Sequence, residues 1–283
     1  MAALFRTEMT KQWRRPRTYV ALGITVAIPV ITTIAIKTNP PSSPSGGGGL
    51  GNFAIISQAT GLYLPVLALR FMSRFLLVIL VALFAGDAVA SEANWGNLRS
   101  MLTRPVSRSR LLLVKLESAG LMAIIATALI GVTGLIAGTI AFGWHPLNQQ
   151  TVSGLHLFHI QANAFQSTSQ LLGNLGLASG YVLWSIVGVA ALAFMVSTMT
   201  DSPAAAVFAG VGLYIVSQIL NNISSLDPIS FIFPTHYMDA WTSLFEGSGP
   251  TGDMLRGTLL QIPYVVVFGT YAWWSFRRKD VLS

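Results

Sequence analysis

The chain alternates long apolar runs with short polar stretches. A hydrocarbon layer of about 30 Å needs ~20 helical residues, so each run of about that length predicts a transmembrane helix. The first run is 19–36, with Pro29 its only helix-unfriendly residue, tolerable in lipid where neighbours re-satisfy the freed carbonyl. The others are 62–86, 118–142, 181–199, 204–223 and 259–276. The third stretch starts near Leu111 and is too long for one straight span, so its beginning, LLLVKLES, is placed at the surface and the crossing part near Ser118. In the tight turn Thr200-Asp201-Ser202-Pro203, Ser202 fits an N-cap and Pro203 a first helical position. Residues 37–51, KTNPPSSPSGGGGLG, form a flexible loop outside the lipid. The prediction is an all-α integral membrane protein with six transmembrane helices, a single transmembrane domain over 1–283.

Composition agrees. Of 283 residues, 53% are hydrophobic and 10% charged, against roughly 25% charged in an ordinary soluble domain. No cysteine is present, which excludes disulfides, thiolate metal sites and cysteine catalysis. The net charge of +7 concerns topology rather than nucleic acid, because of where the basic residues fall. Residues 6, 11, 14, 15 and 17 precede the first span; 99, 104, 108, 110 and 115 lie between the second and third; and 277, 278 and 279 close the chain. With six spans all of these share one face. Only Lys37, Arg70, Arg74 and Arg256 remain for the other face or the membrane, so both termini are expected in the cytoplasm of a bacterial or archaeal cell. A signal peptide is the rival reading of the first run, but no small-x-small cleavage site closes it before Lys37.

The first residues, LFRTEMTKQWRR, place Phe5, Met9 and Trp13 at successive i+4 positions, an interfacial amphipathic helix that turns inward near Pro16. It serves either as an anchor alone or also as a docking surface for a cytoplasmic partner. In 92–118, Leu98, Met101 and Leu102 make a short apolar edge that Pro105 interrupts. Such a helix, held at the membrane face, can transmit a push from a soluble partner; the plain alternative is a basic loop obeying the positive-inside rule. Arg70 and Arg74, one turn apart near the outer boundary, are interface anchors, a structural pair, attractors of an anionic substrate or head group, or the mark of a span boundary that lies elsewhere. Asp87 reads as a hydrated or capping residue rather than a proton relay. Residues 224–245 are rich in proline and aromatics, and Phe231, Phe233, Tyr237, Trp241 and Phe245 line either a re-entrant hairpin forming an outer gate or an interfacial aromatic belt. His156 and His159 lack acidic neighbours, so no metal site is expected.

The run Glu92, Gly96, Leu98, Arg99, Leu102, Pro105, Ser107, Arg108 and Lys115 resembles the cytoplasmic signature of ABC-2 type permeases, the membrane subunits of type V ABC exporters. The six spans, the basic amphipathic start, MTDSP at 199–203 and the segment before the last span resemble that family too, over nearly the whole chain. Asn97 stands where threonine is common, a polar-for-polar departure. The resemblance implies that 97–104 is a cytoplasmic coupling helix between spans two and three. It implies ATPase contact through Phe5, Trp13, Glu92, Leu98, Arg99, Leu102, Arg104, Pro105 and Arg108, with Glu92 and Arg99 candidates for an ion pair. It implies a second permease copy, or a related permease, and two ATP-binding subunits. Arg70, Arg74, Phe231, Phe233, Tyr237 and Trp241 are candidates for a substrate path or outer gate.

The sequence carries no GxxxxGK[ST] motif, so ATP and magnesium would be held by the partner and the chain is no enzyme on its own. It holds no cofactor or metal of its own, and membrane lipid rather than nucleic acid surrounds it. The expected function is export of an amphipathic, lipid-like or drug-like substrate across the cytoplasmic membrane. The rivals are a non-transporting anchor or assembly subunit for an ATPase and an ion-coupled secondary transporter. Against the last, all spans but the second lack a central acidic residue.

Overall fold

The computed structural model describes residues 2–40, 50–95, 107–146, 166–246 and 249–278. Among these the regular structure is helical, without strands. Helix α1 (Ala2–Arg14) is followed by the extended Arg15, and Pro16 opens α2 (Pro16–Thr38), its missing N–H falling where a helix has no internal use for one. Then come α3 (Leu50–Ala59), a 3-10 turn (Gly61–Tyr63), α4 (Leu64–Ser73), α5 (Leu76–Asn94) and α6 (Arg108–Phe142). Next are α7 (Thr168–Ser185), α8 (Val187–Met199), α9 (Pro203–Asn221), two 3-10 stretches (Ser224–Ile232 and Ala240–Leu244) and α10 (Gly252–Arg278).

Among the described residues, five helices are long and apolar enough to cross a bilayer: α2, α5, α6, α7 with α8 taken together, and α9. This is the pattern of a membrane-embedded protein. Helix α10 spans 27 residues, but Gln261, Pro263 and the cluster Tyr271, Trp273 and Trp274 dilute its aliphatic content.

Three elements depart from the sequence pattern, each for a visible reason. The run 62–86 is not one helix: the chain breaks at Arg74–Phe75, where the Arg74 side chain turns away to pair with Asp239. Helix α6 starts at Arg108 rather than near Ser118, because Lys115 is buried and neutralised instead of lying at a surface. The fourth apolar segment starts at Thr168 instead of 181, opened by a capping box in which Ser167 accepts from the Gln170 N–H and the Gln170 side chain accepts from the Ser167 N–H. The segment 224–245, read from the sequence as either a re-entrant hairpin or an interfacial aromatic belt, consists of 3-10 stretches and turns. At the 199–203 turn, Ser202 caps α9 by accepting from the Ala205 N–H, with Pro203 at its first position.

Helix α5 is apolar around its whole circumference up to Gly86, carries Asp87, Ser91 and Glu92 beyond it, and is the central element, enclosed by α6, α8 and α9; α2 and α4 lie along α6, and α10 along α8. In lipid, burial of apolar surface does not by itself drive helices together, so close backbone approach through small residues matters. Helix α6 supplies Gly134 and Gly138, one turn apart. A Cβ on Gly134 would stand 2.8 Å from the Pro65 Cα, and one on Gly138 would overlap the Gly61 carbonyl. The Gly61 N–H donates to the Gly143 carbonyl at 3.1 Å and the Thr60 hydroxyl to the His145 carbonyl at 2.6 Å, closing the contact. Gly86 of α5 likewise admits α9, a Cβ there falling 2.9 Å from the Val207 nitrogen.

Candidate functional site

Ionisable side chains are scarce, so where they gather is informative. Among the described residues the densest group lies where α1, α5 and α6 meet. Helix α1 turns Glu8 and Gln12 inward, both buried, and leaves Phe5 half-buried and Trp13 exposed. The side it turns to the protein thus combines Glu8 and Gln12 with the partly buried Leu4 and Met9. Glu8 receives Lys11 at 3.0 Å and faces Lys115 of α6 at 3.6 Å. Glu92, in the last turn of α5, takes Lys115 on one oxygen at 2.5 Å and Lys11 on the other at 3.0 Å. Lys115 is 1% exposed and also donates to the Ala88 carbonyl at 2.9 Å. These two lysines and two glutamates cancel in charge, the condition for keeping them out of water.

One turn back along α5, Asp87 is buried and held by Arg15 at 2.5 Å and by both terminal nitrogens of Arg17. Arg15 also donates to the Ser91 hydroxyl at 3.3 Å. Asp87 is thus a paired anchor, not the hydrated or capping residue its position suggested. Burial lowers the Arg15 pKa, partly offset by Glu92 and Glu8. For Lys11, burial acts to lower the pKa, and the attraction of Glu92 and Glu8 outweighs it, leaving the ammonium above its ordinary value.

These contacts staple α1 to both helices that flank 96–106. The proposed partner of Glu92, Arg99, lies outside the described residues, as do Leu98, Leu102, Arg104 and Pro105. Both oxygens of Glu92 are engaged by lysines. Arg108 opens α6, half-buried, and donates to the Arg277 carbonyl at 2.9 Å. Sequence reasoning counted Lys11, Arg15, Arg17 and Lys115 as topology signals and missed their pairing across different helices, with Glu92, Asp87 and Glu8 as far as 107 positions away; the Glu8–Lys11 spacing was the one local hint.

At the opposite end, Arg74 pairs with Asp239 at 2.6 Å, both partly exposed, and its carbonyl accepts from the Tyr214 hydroxyl. Arg70 is buried, its guanidinium 5.5 Å from the centre of the Phe53 ring. Phe231 is exposed and Phe233 and Tyr237 partly so, whereas Trp241 is fully buried, edge-on to Phe245 at 6.0 Å between ring centres. The Tyr237 carbonyl accepts from Tyr181 at 2.7 Å, and Ser217 and Asn221 of α9 hold Thr235. His156 and His159 lie outside the described residues, among which no three of His, Asp and Glu gather as metal ligands.

Gln261 of α10 joins this end to the α7–α8 break. Its side chain donates to the Pro234 carbonyl at 2.8 Å and accepts from the Gly188 N–H at 3.2 Å, a donor that the interruption at Ile186 leaves without a helical partner. Gln261→Leu strands both groups in a buried site, and a loss of about 1–3 kcal/mol in unfolding free energy is expected, read by denaturant titration in detergent.

A family model described as "Protein of unknown function (DUF2705)" matches residues 51–282. The chain belongs to the DUF2705 family. The DUF2705 match takes in Asp87, Glu92 and Lys115, whereas α1, with Glu8 and Lys11, precedes it. The chain is also similar to the uncharacterized protein YhcI of Bacillus subtilis (strain 168), 26% identical over 218 residues. That alignment spans 72% of this chain and 66% of YhcI, just under two thirds of the relative's length.

Proposed function

We propose that this chain is the membrane subunit of an ATP-driven exporter, paired with a second permease copy and two ATP-binding subunits in the cytoplasmic membrane. In this reading α10 is the sixth crossing, both termini face the cytoplasm, and the basic end of the bundle meets the ATPases. The observation that carries it is the ionic staple joining α1 through Glu8 and Lys11 to Glu92 of α5 and Lys115 of α6. The staple ties a surface helix to both ends of the 97–104 segment, so that a push on either element reaches the start of two membrane helices together. A hydrated loop would need no such buried connection.

The partner supplies ATP and magnesium chemistry; this chain supplies transmission. Closure of the ATPases pushes on the 97–104 segment, α5 and α6 move with it, and an amphipathic, lipid-like or drug-like molecule passes to the far side. Purified from its native membrane, the chain should carry an ATP-hydrolysing subunit in equal number. Arg99→Glu should uncouple hydrolysis from transport in reconstituted vesicles at least tenfold while the complex stays assembled. A chain that purifies without any ATPase, or whose transport is indifferent to ATP, would overturn the reading.

A further inference from the structure

A groove of about 490 Å³ runs between α6, α10 and the α7–α8 pair, with Val81 and Ala85 of α5 on its floor. Two i+4 ridges frame it. On α6 the ridge is Leu112, Leu116, Gly120 and Ile124; on α10 it is Val265, Gly269 and Trp273. Each ridge continues by one helical turn, at the same end of the bundle, into an arginine: Arg108 below Leu112 and Arg277 beyond Trp273. The two arginines are joined where Arg108 donates to the Arg277 carbonyl at 2.9 Å. Trp273 closes the same corner, its indole N–H donating to the Ser109 hydroxyl at 3.0 Å while the Arg277 guanidinium lies 4.6 Å from its ring centre.

The space comes from glycine on three walls. At Gly120, Gly180 and Gly269 a Cβ would meet nothing within 4 Å, so these positions open onto the groove instead of serving a helix contact. From Leu112 to Ile124 the groove follows α6 for roughly 18 Å at 1.5 Å per residue, close to the ~15 Å hydrocarbon depth of one leaflet. An apolar channel one leaflet deep, open sideways and ending in two cations at headgroup level, has the charge and length distribution of a single acidic lipid.

We propose that this groove is a binding site for one anionic phospholipid of the leaflet on the basic side, with an acyl chain along Leu116, Gly120 and Gly269 and the phosphate at Arg108 and Arg277. The site needs neither an ATPase nor transport and is independent of the exporter reading. Trp273 and Ser109 set the level of the headgroup, and the glycine walls admit the chain.

The test is native mass spectrometry of the full chain in detergent, titrated separately with phosphatidylglycerol and phosphatidylcholine. The unaltered protein should keep one phosphatidylglycerol with about tenfold preference over phosphatidylcholine, as two nearby cations warrant. The pair Gly120→Leu and Gly269→Leu fills the groove without touching a helix contact, so melting is preserved and both lipids are lost. The pair Arg108→Ala and Arg277→Ala should keep a lipid but erase the preference. Equal retention of the two lipids by the unaltered protein overturns the proposal, as does phosphatidylglycerol that survives groove filling. A neutral apolar compound found in the groove in place of lipid also overturns it.

Discussion

Lys115→Met should destabilise the protein by about 3–5 kcal/mol, the range for removing one member of a buried ion pair and leaving its partner uncompensated. Lys115 is enclosed, and without it Lys11, which is more than one third exposed on its side chain, is the one direct ion-pair partner left to the Glu92 and Glu8 carboxylates among the described residues. Lys11→Met should therefore cost much less, about 1 kcal/mol, because water can replace a partly exposed ammonium. The combination Lys115→Met with Glu92→Gln removes both charges and should recover part of the loss. Chemical denaturation of the detergent-solubilised chain, followed by circular dichroism, gives all three values. A Lys115→Met protein as stable as the parent would mean that the cluster is hydrated, and the staple would lose its role.

Gly138→Leu should be comparably damaging, at about 3 kcal/mol or more, for a steric reason. At Gly138 the atom that a side chain would meet is the Gly61 carbonyl, part of a backbone already fixed by its own hydrogen bond to Gly143, so no rotamer change relieves the clash. Gly131 lies two turns earlier on the same helix with nothing within 4 Å of its Cβ position, and Gly131→Leu is the matched control, expected to change stability by less than about 0.5 kcal/mol. If both variants melt alike, the close approach of α6 to the Gly61 turn is absent in the detergent-solubilised protein.

The helices were legible in the sequence because lipid allows few ways to satisfy a backbone, and an apolar run of sufficient length has nearly one structural meaning. Boundaries were less so. Lys115 and Glu117 made the first two turns of α6 look like surface, since hydropathy cannot show that a charge has a partner on another helix. Residues 168–180, with three glycines and Asn174, fell outside the fourth apolar run although Ser167 and Gln170 held the capping signature. At the break at Arg74–Phe75 the Arg74 carbonyl and guanidinium meet Tyr214 and Asp239, partners far along the chain. The ionic cluster was invisible for the same cause: Glu92 and Lys115 were each singled out, but nothing local told that they would meet, and Glu8 carried no signal beyond its spacing from Lys11.

Helix α6 is one rod of 35 residues, about 52 Å at 1.5 Å per residue, fastened near one end to α5 through Lys115 and near the other to the turn before α4 through Gly138. Between those two fastenings, on the other side, lies the elbow at Arg74–Phe75 where α4 gives way to α5. The rod is thus a brace across a joint. While both fastenings hold, the triangle they close keeps the bend at one angle, and folding or straightening it demands that one of them let go first.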